Sequence, residues 1–181
     1  AQIGAPLLEV QDLSTSELLK DISFNLHQGE IVGLFGLLGA GRTELARTLF
    51  GAGPTYSGEV ILDGQRLNAR APADATEAGL AYVPEDRKLH GLVLPMSVRE
   101  NVTLAVLRRM SQATVVRTRL ERSVTDQFID DLDIRTPGRE QKVNNLSGGN
   151  QQKVVVAKWL ASKPKVLILD EPTRGIDVGA K

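Results

Sequence analysis

Three short runs in this sequence carry residue types at spacings that could handle an anion and an accompanying cation. The first is Gly36-Leu37-Leu38-Gly39-Ala40-Gly41-Arg42-Thr43. Glycines at this spacing let backbone N–H groups turn inward as an anion nest. A helix opening at the end of the run would add the positive end of its dipole, and the Thr43 hydroxyl could reach magnesium. The competing reading is a glycine-rich strand-to-helix turn with no ligand. The second run, Val166-Leu167-Ile168-Leu169-Asp170-Glu171, places two carboxylates at the C-terminal end of an apolar strand, where open α/β sheets bind ligands. Asp170 would hold magnesium directly or through water, and Glu171 would orient or deprotonate an attacking water. Without a ligand this run is a strand with a solvated acidic turn. The third, Leu146-Ser147-Gly148-Gly149-Asn150-Gln151-Gln152, offers another backbone-amide anion site at a helix start; alone, it reads as a helix cap with Ser147 as N-cap.

The elements that must position these runs follow from periodicity and punctuation. Leu7–Leu13 and the alternating Ile22–Leu26 read as strands. Ile31–Phe35 is a short apolar run of the kind that forms a buried parallel strand, and Glu44–Phe50 after the glycine loop is helical. Asp63-Gly64 between Glu59–Leu62 and Gln65–Leu67 marks a hairpin, because the pair supports the positive φ of a type I′ turn. Pro72–Ala78 is a short helix with proline near its start and Gly79 past its end, followed by a strand at Leu80–Val83. Ser97 and Glu100 form a capping box ahead of a helix through about Leu107. Leu120, Val124, Phe128 and Leu132 recur every four residues, so Arg119–Asp131 is an amphipathic helix. A last helix runs from about Gly148 to Ala161 and is closed by Lys163-Pro164. The order is mixed sheet, helical insert and return to a parallel strand, an α/β pattern. Ile31–Phe35, Leu80–Val83 and Val166–Leu169 are expected in one sheet with parallel pairings.

The bulk numbers bound the reading. With 181 residues, 41% hydrophobic and 24% charged, the chain is an ordinary globular domain able to bury a core. A formal net charge of zero lacks the basic excess of a dedicated nucleic-acid binder. The absence of cysteine excludes disulfides and thiolate metal sites. The longest uncharged apolar stretch, Ile31–Gly41, is broken by four glycines and is too short for a membrane span of about 20 residues.

Together the three runs, in this order, resemble the ATP-binding-cassette (ABC) domains. Gly36–Thr43 resembles Walker A with arginine in place of lysine, and Leu146–Asn150 is one residue from the signature Leu-Ser-Gly-Gly-Gln. Asp170-Glu171-Pro172-Thr173-Arg174-Gly175-Ile176-Asp177-Val178-Gly179 resembles Walker B and the D-loop of the sugar-importer branch. Tyr82-Val83-Pro84-Glu85-Asp86-Arg87-Lys88 with Gly91-Leu92, and Gly39-Ala40-Gly41-Arg42-Thr43-Glu44-Leu45, resemble the C-terminal half of ribose-type tandem ATPases. The resemblance covers the chain from Leu7 onward.

The resemblance implies a P-loop NTPase fold with mixed sheet, antiparallel β subdomain and helical subdomain. It implies a single domain over residues 1–181, with a core of about 1–91 and 163–181 and a helical subdomain of about 92–162. Because the sequence stops just after the D-loop, the family's later strand and switch histidine are expected outside it. ATP and magnesium are the implied ligands. Gly36 through Glu44, Glu85, Ser147, Gly148, Gly149 and Asn150 would contact nucleotide; Thr43, Asp170 and Glu85 would attend the metal; Glu171 would be catalytic. The implied partners are the N-terminal half of the same tandem protein, membrane permease subunits and, indirectly, a periplasmic sugar-binding protein, with no nucleic acid. The implied location is the cytoplasmic face of the inner membrane, peripherally bound.

Three departures alter the implied chemistry. Arg42 is a planar fork where the family has a compact lysine, and the two are not interchangeable. Glu85 stands at the Q-loop glutamine position, and Ser14-Thr15-Ser16-Glu17 occupies the place of an adenine-stacking aromatic. These point to an asymmetric pair in which this half chiefly lends its signature to ATP held by the other. A catalytically silent, nucleotide-binding regulatory half is the competing reading. Arg42 and Glu85 are expected to approach each other in the absence of nucleotide.

Overall fold

The structure is a computed structural model, and it describes residues 4–112 and 114–174. The chain forms two compact units, Ala1–Tyr82 with Pro164–Asp170, and Val83–Lys163 with Glu171–Lys181.

The first unit is built on an antiparallel sheet of β1 (Pro6–Thr15), β2 (Ile22–His27), β3 (Tyr56–Leu62) and β4 (Gln65–Arg66), in the order β2-β1-β3-β4. Alternation buries Leu8 and Val10 of β1, but the next buried residue is Leu13. The phase slips because the register shifts there and Asp12 takes a φ of 51°, which is what a β-bulge does. Gly58 of β3 accommodates the bulge: a Cβ there would sit 2.5 Å from the carbonyl oxygens of Gln11 and Asp12. The β3–β4 hairpin turns on Asp63 and Gly64, both at positive φ, with Leu62 opposite Gln65, as Asp-Gly requires.

Helix α1 (Arg42–Leu49) follows the glycine run and buries Leu45, Ala46, Thr48 and Leu49. Phe50 at its end packs against Tyr82, ring centroids 5.6 Å apart. Helix α2 (Pro72–Ala78) ends on Gly79 at φ 104°. The Gly79 carbonyl accepts from the Lys165 amide at 2.7 Å, at the entry to the pairing of β5 (Leu80–Val83) with β8 (Val166–Leu169).

The expected strand at Ile31–Phe35 is absent. These residues adopt no regular structure, and Ile31 and Phe35 are 98% and 96% exposed. A strand exists only through ladder partners, and none of the described strands pairs with this run. The sheet of β5 and β8 therefore has two strands rather than three.

The second unit is mainly helical. A five-residue π-type turn at Arg87–Gly91 precedes α3 (Val98–Thr103), a 3₁₀ turn at Leu104–Val106 and α4 (Leu107–Met110). Ser97 and Glu100 form the expected capping box on α3. A small hairpin of β6 (Ser111–Gln112) and β7 (Val115–Val116) leads to α5 (Thr118–Asp131), and α6 (Gly148–Leu160) closes the unit. Helix α5 buries its apolar stripe only in part: Leu120 is 40% exposed, Val124, Phe128 and Leu132 are half-buried, and the buried residues of the helix are Glu121 and Thr125. The reason is a polar seam with α3. Glu121 accepts from Arg99 Nη1 at 2.8 Å and from Thr103 Oγ1 at 2.9 Å, and a buried carboxylate demands such partners.

Candidate nucleotide site

In the first unit the glycine loop leads into α1 through Gly41, whose φ of 85° and ψ of 11° are left-handed. Gly39 is also left-handed at φ 80°, so both positions need the conformational latitude that glycine gives at least cost. At Gly36 a Cβ would lie 2.8 Å from the Ala40 Cβ, because the loop curls back on itself. Residues 36–40 are exposed, Gly41 is buried, and Arg42 and Thr43 are half-buried. The cap at Gly41 supplies no side-chain acceptor to this eight-residue helix, and a helix start is where backbone amides and the dipole favour an anion.

Asp170 lies in the same unit at the end of β8 and is 7% exposed. The Tyr82 hydroxyl donates to its Oδ2 at 3.0 Å. Burial, and then the neighbouring Asp170 carboxylate, push the Tyr82 hydroxyl far above the ordinary tyrosine range, so Tyr82 remains a donor. Arg47 and Glu44 of α1 also act on Tyr82. The loop helix and the buried carboxylate thus share one neighbour. Tyr82 is a site residue that sequence reading missed; its place at the end of a buried strand was the available signal.

In the second unit Glu171 is exposed and left-handed at φ 42°, sparsely populated backbone for a non-glycine residue. It opens a turn closed by the Arg174 amide donating to the Glu171 carbonyl at 3.0 Å. The Arg174 guanidinium forms an ion pair with Glu85, and Arg87 Nη1 donates to the Arg174 carbonyl at 2.9 Å. Arg42 belongs to the other unit, and the ion pair found for Glu85 is with Arg174. Gly175-Ile176-Asp177-Val178-Gly179 lie outside the described residues.

Also in the second unit, Ser147 caps α6. Its Oγ accepts from the Asn150 amide at 3.5 Å and from Asn150 Nδ2 at 2.9 Å, and Asn150 Oδ1 accepts from the Arg135 amide at 2.9 Å. Asn150 therefore locks the cap from both sides. The cap satisfies the third amide of the helix and leaves those of Gly148 and Gly149, which have no acceptor within a helix. The helix is anchored by buried Gln151, whose Nε2 donates to the Val143 carbonyl at 3.1 Å, and by Lys158, whose Nζ donates to the Gly91 carbonyl.

A glycine loop on a helix start, an apolar strand ending in a buried aspartate, and a serine-capped Gly-Gly helix define an ATP-binding-cassette domain. Residues 19–174 match the family described as ABC transporter, and the chain belongs to it. It is 53% identical over 181 residues to the ribose import ATP-binding protein RbsA 3 of Rubrobacter xylanophilus, covering 100% of this chain and 36% of that protein. It is 49% identical over 181 residues to a putative ribose/galactose/methyl galactoside import ATP-binding protein 3 of Agrobacterium fabrum, with the same coverage. The chain thus spans about a third of the length of these relatives. A nucleotide-free ATP-binding cassette from an ABC transporter matches with a TM-score of 0.79 at 18% identity, covering 97% of this chain and 73% of that one, and it shares the P-loop NTPase fold.

Proposed function

We propose that this chain is the ATP-binding domain of a bacterial importer of a ribose-type monosaccharide, and that it couples ATP binding and hydrolysis to transport. The observation that carries this reading is the Ser147-capped start of α6, which keeps the Gly148 and Gly149 amides available to a phosphate. The names of the relatives supply the sugar class. In this reading Ser147, Gly148, Gly149 and Asn150 serve ATP held by the N-terminal half of the same tandem protein. Gly36 through Glu44 bind a second nucleotide, more weakly because Arg42 replaces lysine. Magnesium, when bound, neutralises developing charge on phosphate oxygens. Thr43 and Asp170 would hold it; among the described residues no cluster of three or more His, Asp or Glu forms a ready-made cage, and magnesium habitually takes most of its shell from phosphate and water. Glu171 would orient or deprotonate the attacking water. The partners are membrane permease subunits and, through them, a periplasmic sugar-binding protein. The domain sits peripherally at the cytoplasmic face of the inner membrane; among the described residues no helix is long and apolar enough to cross it.

A catalytically silent half is the second reading, favoured by Arg42. The two separate in a nucleotide titration of this chain alone and mixed with the N-terminal half, scoring binding and phosphate release independently. The transport-ATPase reading expects binding without release by the chain alone, and release in the mixture that falls when Glu171 is replaced. Release that is indifferent to Glu171→Gln supports the silent half.

A further inference from the structure

We propose that Arg174 is a positioning residue for Glu171, and that Glu85 acts through Arg174 rather than on a metal ion. The inference rests on the hydrolytic reading above and specifies how one side of that site is built.

The turn from Glu171 to Arg174 carries the proposed general base on backbone that a non-glycine residue does not adopt unaided. Such backbone persists only where its surroundings over-determine it. Within its own unit Arg174 fastens the turn in three ways. Its amide closes the turn onto the Glu171 carbonyl. Its guanidinium pairs with Glu85. Its carbonyl accepts from Arg87 Nη1. Amide, side chain and carbonyl are all engaged, so Arg174 has little freedom to rotate.

The segment that grips Arg174 is itself fixed at both ends. Asp86, between Glu85 and Arg87, caps the following turn by accepting from the Lys88 and Leu89 amides at 2.9 and 3.1 Å. Those two backbone hydrogen bonds hold the Asp86 carboxyl below its ordinary range. At the far end the Gly91 carbonyl accepts from buried Lys158 of α6, the helix that opens with Ser147-Gly148-Gly149. The grip on Arg174 is therefore continuous with the signature helix.

A carboxylate already neutralised by a guanidinium is a poor magnesium ligand, since binding the metal would strand the arginine. Glutamate at residue 85 suits a partner with a fixed positive charge, and Arg174 supplies it.

The test uses the full-length protein assembled with its membrane subunits, in a background where the catalytic carboxylate of the N-terminal half is replaced, so that remaining ATP hydrolysis reports this half. Glu85→Gln and Arg174→Gln should each lower kcat by about ten- to a hundredfold, the scale of a displaced catalytic group, with the ATP KM nearly unchanged. The charge swap Glu85→Arg with Arg174→Glu should recover most of the loss. The half-saturating magnesium concentration should not move in Glu85→Gln. Amide exchange at Arg174 should accelerate in Glu85→Gln, a readout independent of turnover. A swap no better than the single changes, or a magnesium requirement that rises in Glu85→Gln, overturns the inference and makes Glu85 a metal ligand. Hydrolysis in this background that is absent, or indifferent to Glu171→Gln, overturns instead the hydrolytic reading on which the inference stands.

Discussion

Tyr82 Oη and Asp170 Oδ2 lie 3.0 Å apart, and both residues are buried. This hydrogen bond is where β5 meets the carboxylate at the end of β8. It occupies one carboxylate oxygen of Asp170 and sets the orientation of the other.

Tyr82→Phe removes the hydroxyl and little else. A buried hydrogen bond to a charged group is worth about 1.5–3 kcal/mol, so the unfolding free energy should fall by about that amount in urea titrations. The Phe50 contact should survive, because the ring remains. An unchanged midpoint would show that Asp170 finds another donor at no cost.

Lys158 predicts a pH dependence. Burial lowers its pKa to about 8, from an ordinary value of 10.5. Between those values the unfolded chain binds more protons than the folded one, so stability rises with pH across that window. Tyr82 acts oppositely higher up: its raised pKa means stability is lost as pH climbs past about 10, where the unfolded tyrosine ionises. Urea midpoints should therefore rise from about pH 7.5 to about pH 9.5 in the native chain. The rise should flatten in Lys158→Met.

Gly148→Asp tests the signature assignment. It puts a Cβ and a negative charge where the proposed function brings a phosphate, and two charges at about 4 Å interact by roughly 1 to 4 kcal/mol near a surface. Sugar-stimulated ATP hydrolysis by the assembled transporter should fall by about a hundredfold or more. The chain should still fold, since acidic residues suit a helix start, and its own nucleotide binding should be nearly unaffected.

Arg42→Lys should raise the affinity of this chain for nucleotide by on the order of tenfold, about 1.4 kcal/mol. Turnover should change less if, as proposed, it also requires an opposing signature. Titration calorimetry and phosphate release, measured on the same sample, separate the two. A gain confined to turnover would place residue 42 in the chemistry rather than in binding.

What was legible in the sequence was what is locally decided. Asp63-Gly64 dictates its hairpin, Ser97 and Glu100 their capping box, and Pro72 and Gly79 the two ends of α2, because each depends on a few neighbouring residues. Two of the three candidate runs were legible for the same reason, since glycine and serine advertise backbone geometry, and the third, Val166–Glu171, showed as an apolar run ending in two carboxylates. What failed depended on partners distant in the chain. Ile31–Phe35 has the composition of a strand but no described strand to pair with. The four-residue apolar stripe of α5 gave the helix but not its most buried residues, Glu121 and Thr125, the first of which Arg99 and Thr103 of α3 hold in place. The pairing of Glu85 with Arg174 spans most of the second unit's sequence, and no local pattern announces it.

The exposed run beginning at Ile31 has a consequence for how the chain behaves in bulk. Leu38 in the same stretch is 99% exposed, so the run offers backbone outside any described ladder together with bare aliphatic and aromatic side chains. Two such runs meeting in solution can supply each other's ladder and cover each other's apolar face. Self-association should therefore be second order in protein. Dilution should slow it, non-denaturing micelles should suppress it, and replacing Phe35 with a charged residue should lengthen its lag without altering how the two folded units unfold.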